Sequence, residues 1–110
     1  MKSISRGTTP VLKFDYPYTY ADITDMTISF AQDGTTLLTL SMGDDDIHNI
    51  ADHEVSVELT QEQTNLFKHN FPLEVQVKVK NTEGQVWVGD IEHYQVHRIL
   101  DTEIMWGINV

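Results

Sequence analysis

Apolar and polar side chains alternate with a period of two through most of the chain, the pattern of strands with one buried face. In Val11–Tyr16 (VLKFDY), Leu12, Phe14 and Tyr16 fall on one side and Val11, Lys13 and Asp15 on the other. Residues 25–32 (DMTISFAQ) turn Met26, Ile28 and Phe30 inward, and 35–42 (TTLLTLSM) return with Leu38, Leu40 and Met42 on one face. Asp33-Gly34 between them predicts a tight hairpin, because glycine accepts the positive φ that right-twisted hairpins require. Further on, Val55, Val57 and Leu59 alternate with Glu54, Ser56 and Glu58, and Val75, Val77 and Val79 alternate with Gln76, Lys78 and Lys80. If those two strands pair, the glutamate row faces the lysine row, for a few tenths of a kcal/mol per pair. The turn NTEG (81–84) leads into a long extended segment, 85–100, with a bulge or bend expected at Gly89-Asp90.

One stretch breaks the rhythm. In TQEQTNLF (60–67), Thr60 stands as an N-cap with Gln63 three residues later, a capping box that satisfies two orphan backbone donors. A short helical turn is expected there, with Leu66 and Phe67 tucked beneath it and Pro72 marking re-entry into the next strand. Short strands at even spacing without a βαβ rhythm predict an all-β fold: an antiparallel β-sandwich, Ig-like or related, of six to eight strands with one short helical turn. We read residues 1–110 as a single domain with a polar N-terminal arm (1–9) and an apolar C-terminal tail (105–110).

Charge narrows the partners. Among 110 residues, 17 acidic against 7 basic side chains give a formal net charge of −10, which opposes phosphate backbones and anionic lipid alike. No direct nucleic-acid partner and no membrane partner are expected. Cysteine is absent, so no disulfide or thiolate site exists. No apolar run approaches the length of a membrane span, and the opening MKSISRGTTP turns polar where a signal peptide would become apolar, so assembly in the cytosol is expected.

The stretch Met42–Val55 (MGDDDIHNIADHEV) is the obvious candidate for chemistry. It fails as an EF-hand loop, since Ile47 and Ile50 occupy positions where ligands or glycine belong. A looser calcium site on Asp44, Asp45 and Asp46 stays open as the weaker reading beside that of a polar turn carrying aspartates. Zinc held by His48, Asp52 and His53 would need ligands that converge; catalytic helical sites place two histidines four apart on a helix, whereas these are five apart in a loop. His93 and His97 are four apart, but on a strand that separates them by about 13 Å. Neither Ser41 nor Ser56 sits in a Gly-x-Ser-x-Gly elbow and no phosphate-cradling glycine loop is present, so neither an enzyme nor a cofactor is expected.

Several segments together resemble a family of small proteins encoded in phages and prophages of Firmicutes: ISRGTTP (4–10), the strand DIxDMTISFAQ (22–32), VELTQEQTNLF (57–67), LEVQVKVKNTEGQV (73–86) and ILDTEI (99–104). They follow in matching order from Ile4 to Ile104. By strand pattern alone the chain is more distantly similar to the N-terminal β-sandwich domain of phage baseplate upper proteins. The loop DDDIHNIADH and the tail MWGINV depart from the family pattern. The resemblance implies a non-enzymatic virion protein of tail, baseplate or neck, assembled in the host cytoplasm and working by contacts with other phage structural proteins or with itself as a homo-oligomer. It carries no catalytic residue.

Aromatic and arginine side chains concentrate binding energy, so Arg6, Trp87, Tyr94 and Trp106, with Ile108, are the expected contact residues. The tail residues Ile104, Met105, Trp106, Ile108 and Val110 are too apolar to stand in water; they either pair as a last strand with their own sheet, the preferred reading, or add to a neighbouring subunit. The arm Met1–Thr9 is likewise expected to be ordered only by a neighbour. Two other function classes stand beside this one. An acidic inhibitor of a host nucleic-acid-binding protein would present Asp44, Asp45, Asp46, Asp52 and Glu54 in place of phosphates, and a carbohydrate-binding module would use Trp87 or Trp106 as a stacking platform.

Overall fold

The computed structural model describes residues 2–44 and 46–100 and is all-β. Nine strands occur among the described residues: β1 (Lys2–Ser5), β2 (Val11–Asp15), β3 (Ile23–Gln32), β4 (Thr35–Ser41), β5 (Asn49–Ala51), β6 (Glu54–Glu58), β7 (Leu73–Asn81), β8 (Val86–Val88) and β9 (Glu92–His97). One 3-10 turn, Tyr20–Asp22, and one helical turn, α1 (Gln61–Thr64), interrupt them. The larger sheet has six strands in the order β1-β9-β7-β3-β4, with β8 beside β7 on the same side as β9; the smaller has three in the order β2-β6-β5.

The buried faces are those that alternation marks. Met26, Ile28 and Phe30 of β3, Leu40 of β4, and Val75, Val77 and Val79 of β7 meet Leu12 and Phe14 of β2 and Val55 and Val57 of β6 in one contiguous core. The β3–β4 hairpin turns where expected: Asp33 and Gly34 both have positive φ (50° and 76°), the signature of a two-residue type I′ turn. The capping box also forms, the Gln63 N–H donating to Thr60 Oγ1 at 3.1 Å while the Thr60 N–H donates to Gln63 Oε1 at 2.9 Å. Below the helical turn Phe67 is fully buried, its ring stacked on Phe30 at 5.7 Å, whereas Leu66 points outward and stays exposed.

Buried Gln32 fixes the loop that follows. Its Nε2 donates to the carbonyls of Lys68 (2.6 Å) and Phe71 (3.0 Å), and its Oε1 accepts from the Lys68 N–H (2.7 Å). A side chain that ends a strand by alternation therefore serves as a polar clasp, satisfying loop backbone that would otherwise be buried without partners.

Three expectations are corrected. The glutamates of β6 and lysines of β7 do not face each other across a strand pair, because β6 pairs with β2 and β5 while β7 pairs with β3, β8 and β9 in the other sheet. The arrangement is not wholly antiparallel and exceeds eight strands, since β1 runs parallel to β9 with Ile4 opposite Val96. Nor does the N-terminal arm need a neighbour to order it: Ile4 is 2% exposed in the core, the Arg6 N–H donates to the His97 carbonyl at 3.2 Å, and Thr64 Oγ1 donates to the Thr8 carbonyl at 2.9 Å. Alternation misses β1 because KSIS offers a single apolar residue.

Candidate interaction site

The outer side of the larger sheet brings together the side chains most suited to binding a partner. Along β7, Lys78 and Lys80 point away from the core, because the alternate residues Val77 and Val79 fill it. The register sets Val88 opposite Lys78 and Val86 opposite Lys80, so both valines share the lysines' face, 49% and 53% exposed respectively. Ile91, just past the strand, is exposed as well. Two of the chain's seven basic residues thus stand beside exposed apolar side chains in a strongly acidic protein.

Between Val86 and Val88, Trp87 faces the opposite way, towards Val79, and packs half-buried against the core. The chain then breaks its ladder at Gly89 and Asp90, as the sequence leads one to expect. The Gly89 N–H still donates to the Val77 carbonyl at 2.9 Å, and Gln76 Nε2 donates to the Gly89 carbonyl at 2.8 Å. The indole lies directly over Gly89: a Cβ placed there would come within 2.9 Å of the ring. Phe14 and Asp15 of β2, Val77, Trp87, Gly89, Asp90 and Glu92 line a groove of about 280 Å³ where the smaller sheet meets this side of the larger one. Among the described residues, no strand pairs with the outer edge of β8.

The expected contact residues divide around this groove. Trp87 forms part of its wall. Tyr94 is 3% exposed, so it is a core residue and not a free contact; burial, reinforced by Glu92, pushes its hydroxyl above the ordinary tyrosine range. Lys2 stands 5.6 Å above its ring and forms an ion pair with Glu92, a hydrogen bond that raises the lysine. Arg6 is half-buried and donates from Nη2 to the Asn65 carbonyl at 3.1 Å, tying the arm to the helical turn and leaving little of it for a partner. Trp106 and Ile108 lie outside the described residues.

Comparison with protein-family models, curated proteins and solved structures found no match.

The acidic stretch is a built surface loop. Ile47 is buried and anchors it, Tyr16 Oη donates to the Ala51 carbonyl, and the His53 N–H donates to the Tyr18 carbonyl at 3.0 Å. Asp52 Oδ1 accepts from the Tyr20 N–H at 2.7 Å, so this carboxylate already has a structural partner. β5 and β6 join through Asp52 and His53, the latter at φ 64°. Asp44, Asp46 and Glu54 point to solvent, and Asp45 lies outside the described residues. Among the described residues, no group of three or more His, Asp or Glu side chains is placed to hold a metal ion. On β9, His93 faces Glu74 across the register at 3.6 Å, and His97 lies four positions further along the strand. None of the described helices is long and apolar enough to cross a membrane.

Sequence reasoning overlooks Lys78, Lys80, Val86 and Val88 as one surface. Each reads as an ordinary outward-facing position, and only the pairing of β7 with β8 sets them side by side.

Proposed function

We propose that this protein is a non-enzymatic structural or adaptor component of a phage particle, in the tail, baseplate or neck, acting through protein–protein contacts in a multimer. We take its two sheets as the layers of a β-sandwich of the Ig-like or related kind, a reading supported by the single core to which both contribute. The observation that carries the functional reading is the β8 edge: exposed Val86 and Val88 on a strand whose outer side carries no partner among the described residues. An exposed edge with apolar side chains is a template for adding another chain, and soluble proteins working alone blunt such edges with charge, proline or a cover. A subunit repeated in a ring gains avidity from many small contacts, so an edge of this size suffices. The likeness of ISRGTTP, VELTQEQTNLF and LEVQVKVKNTEGQV to small phage and prophage proteins supplies the biological setting. Mass spectrometry of purified particles from the phage that encodes the chain tests the reading; its absence from the particle would sink it.

A second reading is favoured by the exposure of Asp44, Asp46, Asp52 and Glu54 on one pinned loop, which suits an acidic mimic of phosphates aimed at a host nucleic-acid-binding protein. Affinity for such a target falls steeply between low and moderate salt. Contacts made on the β8 edge hold.

A further inference from the structure

We propose that the strip of the larger sheet formed by Lys78, Lys80, Val86 and Val88 docks an extended segment of a partner protein in which carboxylates alternate with apolar side chains. The inference rests on the multimer reading above and names the chemistry of the partner.

Two rows of side chains cross the outer face. Thr27, Lys78 and Val88 stand level on β3, β7 and β8, and two residues along Asp25, Lys80 and Val86 do the same. Each row passes from a polar side chain through a cation to an exposed valine. Neighbours within a row lie about 5 Å apart, and the rows about 7 Å apart. A hollow of about 270 Å³ is lined by Asp25, Met26, Thr27, Lys78, Lys80 and Val86.

The cations there are uncommitted. Among the described residues the ion pairs are Lys2–Glu92 and His93–Glu74, and neither lysine of the strip takes part in one. The carboxylate in the hollow, Asp25, accepts from the Met26 N–H at 2.8 Å through Oδ1. Apolar exposure is concentrated at the same place. Of the seven large hydrophobic side chains exposed among the described residues, Val86, Val88 and Ile91 fall together, whereas Val11, Tyr20, Leu66 and Leu100 are scattered along the chain. The edge strands of this sheet offer nothing equivalent: β1 and β4 expose no large hydrophobic side chain, Lys2 of β1 is paired with Glu92, and β4 has neither lysine nor arginine.

This juxtaposition fixes the occupant. Covering the half-exposed valines is favourable, but whatever covers them also takes water from the neighbouring ammonium groups, and a desolvated, unpaired cation costs more than the two valines return. The occupant therefore brings carboxylates to Lys78 and Lys80 and apolar side chains to Val86 and Val88. An extended chain laid along the seam between β7 and β8 does both. Its side chains fall alternately to either side, and those on one side recur at about 7 Å, the spacing of the two lysines. Nucleic acid fits less well, since it brings phosphates without apolar side chains and its length carries it across the rest of a surface with a formal net charge of −10.

The test follows the backbone amide signals of the full chain, labelled with nitrogen-15, during titration with three capped hexapeptides in which valine alternates with glutamate, glutamine or lysine. The glutamate peptide should shift the signals of 78–80 and of β8 saturably. The glutamine peptide should bind about tenfold more weakly, the loss expected for two partly exposed ion pairs, and the lysine peptide should leave the signals unmoved. Lys78→Glu/Lys80→Glu should reverse the order and take the lysine peptide in preference. Val86→Thr/Val88→Thr should weaken the glutamate peptide several-fold and keep its preference over the lysine one. Equal affinity for the three peptides, shifts confined to other residues, or no shift at millimolar peptide overturns the proposal. So does an oligothymidylate that moves these signals more strongly than the glutamate peptide, which would assign the strip to nucleic acid, and so do shifts that follow protein concentration alone, which would assign it to a second copy. Should the charge-reversed variant lose its fold, Lys78→Gln/Lys80→Gln replaces it, and the glutamate and glutamine peptides must then bind alike. Absence from phage particles would defeat the virion reading and leave these preferences unchanged, whereas failure of the peptides would defeat the docking inference without deciding where the protein resides.

Discussion

Replacing Ile4 by alanine asks whether the first strand belongs to the fold. Ile4 is 2% exposed, its side chain lying on the core side of β1 opposite Val96. The substitution removes three carbon atoms, about 2.4 kcal/mol of transfer free energy at about 0.8 kcal/mol per buried methylene. A cavity term adds to this, but a site on an edge strand closes more readily than one in a central strand, so the total should lie near 3 kcal/mol. For a domain of this size that corresponds to a fall in Tm of about 12 °C. Urea titration followed by far-ultraviolet circular dichroism measures it, with an unchanged m-value as the sign that the denatured state is unaffected. Ser3→Ala, on the outward face of the same strand, is the control and should stay within about 0.5 kcal/mol. An Ile4→Ala variant as stable as that control would refute the reasoning, since the arm would then be ordered by something other than its own core.

Gly89→Ala should displace the Trp87 ring, because the new methyl meets it at 2.9 Å. In a Trp106→Phe background the emission should move to the red with a loss of about 1 kcal/mol, and an unshifted spectrum would contradict the packing. Burial raises the hydroxyls of both Tyr16 and Tyr94 above their unfolded value. A raised acid contributes stability that is complete below the unfolded pKa and is lost as pH rises, so unfolding free energy should decline above about pH 10; a flat profile through that window would contradict it.

The readable part of the fold is the part where several residues repeat one signal. Leu12, Phe14 and Tyr16, or Val75, Val77 and Val79, announce a buried face three times over, and each is buried. Thr60 with Gln63 and Asp33 with Gly34 are equally explicit, because capping and positive φ demand particular side chains. Sheet membership is different in kind. Nothing in EVSVE or LEVQVKVK states which strand each will join, so the glutamate and lysine rows face no common neighbour. The short strand β1 has too few residues to repeat anything. Tyr94 and Val96 stand two apart on one face, and that spacing already marks Tyr94 as a core residue and not an exposed anchor. The lysine and valine surface arises only when β7 and β8 pair, so it belongs to the tertiary level.

The parallel pairing of β1 with β9 has a kinetic consequence. It joins groups as far apart in sequence as Lys2 and Glu92, 90 positions. Closing a loop that long costs about 2 kcal/mol more than closing one a tenth its size, and that cost falls before any contact repays it. During synthesis β1 leaves the ribosome first and has nothing to pair with until β9 follows, so that side of the larger sheet is the last to be sealed. The nascent protein passes through a stage in which both Ile4 and the flank of β9 are open to other chains, and co-expressed partners would meet it in that form.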